Sequence, residues 1–260
     1  MRRFWFRLAV PGAVAIWAAA CGGEGGGAGG GEAAQVSFPV DTTTAATITG
    51  TVRFEGTPPV MPVIDMSEEP ACKDKYPEPP RGQTVVVNPN GTLKNVFVYL
   101  KAGLDTTLRF PVPRDSVWLD QSGCRYEPHV MGMQAGQTLA IKNSDPLLHN
   151  INAKPAANRG FNISQPQAGM VSTRTFQVPE VMVPIGCDVH GWMSAYVGVL
   201  RHPYFSTTGA EGSFTITRLP PGTYTLEAWH EQYGTQTVEV TVSPNETKTV
   251  EFVFRPRAAS

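Results

Sequence analysis

The chain has 260 residues, a formal net charge of −1, 26 glycines and 23 prolines. A near-neutral balance argues against a nucleic-acid partner, which would call for a basic patch or stripe. The length allows one or two domains after processing. Outside the N-terminus no stretch sustains apolar spacing at i, i+3, i+4, i+7, whereas short Val/Thr/Ile/Tyr/Phe runs recur between turns, the mark of an all-β chain.

Residues 1–20 read as a signal peptide. Met1–Arg7 is a positive n-region, and Leu8–Ala20 is an apolar run too short to span a bilayer comfortably. The run ends at Ala18-Ala-Ala-Cys21, which resembles a bacterial lipobox, with Ala18 standing where leucine is more usual. That resemblance implies cleavage before Cys21 and a diacylglycerol on its thiol; the alternative is a plain secretory peptide cut nearby. The glycine-rich run Gly22–Gly31 opens a flexible tether over 21–45, which makes sense if its first residue is anchored. The expected location is the periplasmic or cell-surface face of a bacterial membrane, lipid-anchored.

Residues 46–104 form an N-terminal β region. Ile48, Val52 and Phe54 alternate, Pro58–Arg81 reads as a proline-rich loop, and Asn90-Gly91 reads as a hairpin turn between Thr84–Val87 and Leu93–Leu100. The opening strand Ile48–Gly56 also looks like the first strand of the sandwich expected at the C-terminus. Two arrangements follow: a discontinuous sandwich interrupted by the central domain, or an extension and an independent domain.

Residues 105–203 carry the chemistry. Cys187, His190 and Met193 stand as C-x2-H-x2-M, with His149-Asn150 upstream. One thiolate, two imidazoles and a thioether are the ligand set of a mononuclear blue-copper site. A zinc site would show a second C-x2-C or H-x3–5-H half, which the sequence lacks. The stretch from about Val117 to Leu200 resembles the cupredoxins, through Gly136–Asn143, Ser144–Asn150 and Ile185–Met193. The short gap from His190 to Met193 looks like the ligand loop of amicyanin, with Gly191 where short-loop relatives commonly carry proline. The resemblance implies a Greek-key β-sandwich holding one type 1 copper through His149, Cys187, His190 and Met193. It implies that Asn150 ties the two ligand loops together, its backbone N–H reaching the thiolate. It also implies an exposed edge of His190 as the electron exit, for which Trp192, Leu147 and Leu148 would form an apolar docking rim; packing is the other role open to Trp192.

With Cys21 assigned to lipid and Cys187 to copper, Cys72 and Cys124 remain in an oxidising compartment, where a disulfide is expected. The alternative is a second metal site with His129, which beside Met131 and Met133 is more simply a packed or hydrogen-bonded histidine. Residues 204–256 contain Gly212-Ser-Phe214, Ile216, Leu219-Pro-Pro-Gly222 and Tyr224-Thr-Leu226, then alternation at Val238–Val242 and Val250–Phe254. This block resembles the carboxypeptidase regulatory-like β-sandwich, a structural module. His202 and His230 read as surface or interdomain residues.

The expected function is one-electron transfer between an unidentified donor and acceptor. A copper-delivery protein without a redox role is the alternative. No enzyme is expected, because a multicopper oxidase or nitrite reductase would need further histidine-rich sites.

Overall fold

The computed structural model describes residues 39–256. The signal peptide, Cys21 and the glycine-rich run fall outside the described residues. In chain order the elements are β1 (Ala46–Phe54), α1 (Pro70–Lys73) and β2 (Phe97–Ala102). Nine strands follow: β3 (Val117–Gln121), β4 (Tyr126–Glu127), β5 (Val130–Gln134), β6 (Thr138–Asn143), β7 (His149–Ala153), β8 (Phe161–Gln165), β9 (Val171–Thr175), β10 (Glu180–Gly186) and β11 (Ser194–Leu200). The last five are β12 (Phe205–Thr207), β13 (Ser213–Leu219), β14 (Gly222–His230), β15 (Gly234–Val242) and β16 (Thr247–Phe254). The protein is all-β, as its composition and alternation indicate.

Strict alternation makes β1 a strand with one apolar face: Ala46, Ile48, Val52 and Phe54 point inward and the threonines between them do not. It is the middle strand of a three-stranded sheet, antiparallel to β13 and parallel to β16. Gly50 is required there. A Cβ would stand 2.0 Å from the Val250 carbonyl oxygen and 2.5 Å from the Phe214 ring. The facing sheet runs β12-β2-β14-β15, and Ile48, Val98, Phe214, Leu226 and Phe252 fill the space between the two. The N- and C-terminal segments therefore share both sheets of one sandwich, and β3–β11 are inserted between them.

The inserted part is a second sandwich. One sheet runs β5-β11-β10-β7-β8 and the other β4-β3-β6-β9, with Leu119, Ile141, Ile151, Val183 and Val197 between them. The sandwiches meet where β2 faces β5 and β11. Gly132 and Gly198 are register partners on those two strands, and a Cβ on either would stand 2.5 Å from Phe97. The paired glycines leave a slot for the Phe97 ring, and Tyr99, Val130 and Leu200 close around it.

Three sequence expectations are revised here. The loop Pro58–Arg81 holds the short helix α1, with a proline in its first turn, where the missing N–H costs nothing. Around Asn90-Gly91 the chain turns, Gly91 having φ +78°, but its flanks meet only in the bridge Val87–Leu93 and form no extended hairpin. His202 and His230 are not surface residues: they are 5% and 1% exposed. His202 Nε2 lies 3.1 Å from the Leu100 carbonyl, and His230 Nδ1 accepts from Gln232 N–H at 3.0 Å. Burial pushes both imidazoles down to about 4, so they are packed neutral.

Candidate metal centre

β10 lies between β11 and β7, and this order assembles the site. The β10–β11 pair ends at Gly186–Ser194, so Cys187 and Met193 flank one loop. On the other side Gly186 pairs with Asn152 of β7, which brings His149 and Asn150 alongside. His149, Cys187, His190 and Met193 are 0%, 6%, 2% and 2% exposed. The ligand atoms of the first three lie within 4.8 Å of one another. The Nδ1 atoms of His149 and His190 face each other at 2.9 Å, and Cys187 Sγ is 3.9 Å from His190 Nδ1. Met193 is buried in the same apolar cluster as Cys187, whose N–H donates to the Met193 carbonyl at 3.3 Å. Two imidazole nitrogens and a thiol sulfur, buried and within 4.8 Å of one another, suit a soft or borderline ion.

The loops are pinned together by Asn150. Its Oδ1 accepts from Asp188 N–H at 2.6 Å, and its Nδ2 donates to the Asp188 carboxylate at 3.0 Å. The Tyr126 hydroxyl donates to the carbonyls of Asn150 and Gly186, one on each ligand strand. Burial alone would raise the Cys187 thiol, but hydrogen bonds from His149 and from the backbone N–H groups of Asn150, His190 and Val189 outweigh it and favour the thiolate. For His149 burial again opposes charge, and the Asp145 and Cys187 contacts reverse it, raising its pKa. His190 is pushed down by burial and by the neighbouring His149.

Asp145 is the residue the motif did not reveal. It is 1% exposed and sits 2.9 Å from His149 Nε2. It also accepts from Gly123 N–H at 3.0 Å, Cys124 N–H at 2.7 Å and Lys75 Nζ at 2.9 Å. Burial opposes its charge, yet these donors hold its carboxyl far below the usual carboxylate range. Asn143 shapes the same loop by accepting from Asp145 N–H and donating to the Leu147 carbonyl, each at 2.9 Å.

Cys72 and Cys124 are joined in a disulfide with Cα atoms 5.6 Å apart. Cys124 also falls in a geometric cluster with Asp145 and His149, but a disulfide sulfur is no thiolate, so that cluster is not a second metal site. His129 bridges the Ser194 carbonyl, 2.9 Å from Nδ1, and Glu231, 2.7 Å from Nε2, and stands in neither cluster.

The bridge ties the segment Ile64–Pro80 down over the site, and this corrects the exposed histidine edge expected from the resemblance. Cys72 Sγ lies 3.9 Å from His190 Nε2, and the Glu69 carboxylate 3.8 Å from it. The Tyr76 hydroxyl donates to the Gly123 carbonyl at 2.7 Å and adds a further fastening. The docking rim changes with it. Trp192 packs 5.1 Å from the His190 ring and donates Nε1–H to the Cys124 carbonyl at 2.9 Å. Leu147 packs with Met66 and the disulfide beneath the cap. Of the three rim residues Leu148 alone is exposed, at 40%.

Comparison with known proteins matches residues 195–255 to the carboxypeptidase regulatory-like domain. No curated protein matches. Among solved structures, a purple cupredoxin from Nitrosopumilus maritimus is 19% identical over 32% of this chain and 97% of its own, with a TM-score of 0.28. An amicyanin mutant in the Cu(I) state is 15% identical over 39% of this chain and 97% of its own, at 0.30. A copper-containing nitrite reductase from Thermus scotoductus is 17% identical over 39% of this chain but 26% of its own, also at 0.30. The chain is thus similar to two β-sandwich families, the carboxypeptidase regulatory-like domain over residues 195–255 and the cupredoxins among its structural neighbours.

Proposed function

We propose that the protein binds one copper ion of type 1 character and carries single electrons between redox partners outside the cytoplasm. The observation that carries this reading is the convergence of His149 Nδ1, His190 Nδ1 and Cys187 Sγ within 4.8 Å in a buried pocket. Bound there, copper supplies a one-electron couple that thiolate and imidazole together accommodate in both oxidation states. The chain's own part is to hold the donors: Asn150 and Tyr126 lock the ligand strands, Asp145 fixes the outer nitrogen of His149, and apolar packing excludes water. Burial of all four donors supports a carrier over a delivery protein, which must present its ion to the next ligand set. No residue is assigned a catalytic role. We further propose that Cys21 carries a lipid anchor holding the domains at the membrane surface.

The test is a visible and EPR spectrum of the oxidised, copper-loaded soluble fragment. One copper per chain with an intense thiolate-to-copper band and narrow hyperfine splitting is expected, and Cys187→Ser should abolish the band. A colourless protein that prefers zinc and does not cycle would sink the proposal.

A further inference from the structure

Glu69 is the N-cap of the four-residue helix α1, and its side chain makes no capping hydrogen bond to the free N–H groups of that helix. Its carboxylate turns instead toward the metal centre and stands 3.8 Å from His190 Nε2. Its backbone is held in place, because its carbonyl accepts from Cys72 and Lys73 N–H, each at 3.0 Å, and its N–H donates to the Met66 carbonyl at 3.1 Å. The disulfide at Cys72 then fastens that turn to the inserted sandwich.

His190 turns Nδ1 toward His149 and Cys187, so Nε2 is the nitrogen left to carry the proton. Among the described residues, the groups recorded at Nε2 are the Cys72 sulfur and the Glu69 carboxylate. A disulfide sulfur is uncharged and a weak acceptor; the carboxylate is the group that can orient the ring. At 3.8 Å the pair is a charge contact and not a formed hydrogen bond, so it acts mainly through its field. A negative charge behind a ligating imidazole raises its basicity and favours the more positive oxidation state of the ion in front.

We propose that Glu69 is a positioning residue of the metal centre, delivered by the disulfide-held cap, and that its charge lowers the potential of the bound couple. This rests on the copper reading above. Glu69→Gln keeps the shape and removes the charge. In the full-length copper-loaded protein it should leave the thiolate-to-copper band in place and weaken Cu(II) relative to Cu(I) binding about tenfold, a rise of about 59 mV for one electron. Because the Glu69 side chain is 37% exposed, salt should raise the wild-type potential toward that of the variant and leave the variant nearly unchanged. Glu68→Gln, which removes an exposed charge one residue away, should not move the potential. Equal shifts in the two variants would reveal a general field effect and overturn the proposal. So would a Glu69→Gln potential equal to that of the wild type with the band intact. Absence of the band from the wild type would instead remove the copper reading, and the proposal with it.

Discussion

At the scale of single residues, the site depends most on a buried carboxylate. Asp145 accepts from two backbone N–H groups and Lys75 and sits against the His149 ring. Removing one member of such a buried set leaves the others desolvated without a partner, at a cost of about 3–5 kcal/mol. Asp145→Asn keeps the size but loses the charge that Lys75 and His149 use. Urea unfolding of the metal-free protein should show a loss of at least about 2 kcal/mol, and metal affinity should fall by about 10- to 100-fold, the usual effect of removing a ligand's hydrogen-bond partner. Lys75→Met would leave the same carboxylate short of one donor, so its effect should be smaller and should not add to that of Asp145→Asn. The candidate donors were legible in the sequence because C-x2-H-x2-M places three of them in one loop. Asp145, Glu69 and Lys75 were not, since their roles exist only after distant segments meet, and an isolated acidic or basic residue in a loop is usually solvated. Asp145 carries the one local signal available: it stands four residues before His149, in a loop that Asn143 holds through the Asp145 N–H and the Leu147 carbonyl.

The element that departs most from sequence expectation is the cap, Ile64–Pro80. A proline-rich loop with one helical turn has no apolar periodicity by which to place it, and the pairing of Cys72 with Cys124 could be inferred only by elimination. Its effect is to bury His190 at 2% exposure. Replacing both cysteines by serine opens a loop of 52 residues, which should cost about 4 kcal/mol in the chain-entropy account. It should also loosen the cover over His190. Reduction of the oxidised protein by a small uncharged reagent should then become several-fold faster while the thiolate band persists, measured by stopped flow. An unchanged rate in a folded double variant would show that the cap is not the barrier to the histidine. The strands, by contrast, were largely legible. Alternation over Ser213–Leu219 or Thr247–Phe254 reveals both the strand and its inward face. It does not reveal the partner, and so the parallel pairing of β1 with β16 had to come from the structure.

At the scale of the whole molecule, the two sandwiches are joined by more than the chain segments that run between them. The Phe97 ring in the slot over Gly132 and Gly198 makes the interface specific to those glycines. Beside it, Tyr196 donates to Glu231, which also binds His129, so strand β11, just after Met193, is linked to the turn after β14. A methyl group at Gly198 would press on Phe97 at 2.5 Å. Gly198→Ala should therefore destabilise the protein by about 1–3 kcal/mol. Phe97→Leu, which withdraws the ring edge, should recover part of that loss in the double variant. Differential scanning calorimetry is the suitable measurement, because it also reads whether the two sandwiches still melt together. If Gly198→Ala melts as the wild type does, the slot is not what joins them.

The insertion also has a consequence in time. As the chain emerges into the oxidising compartment proposed for it, β1 arrives first and its neighbours β13 and β16 last, so the apolar face of Ile48, Val52 and Phe54 must wait for nearly the whole chain. The inserted strands β3–β11 are contiguous and can close as soon as they emerge. Cys72 lies between β1 and that early-folding unit, and Cys124 lies within it. Once the two sulfurs are joined, β1 is held near the unit that β13–β16 will flank, which shortens the loop its final pairing must close. The bridge that covers the histidine in the finished protein is thus also the link that keeps its first strand within reach of its last.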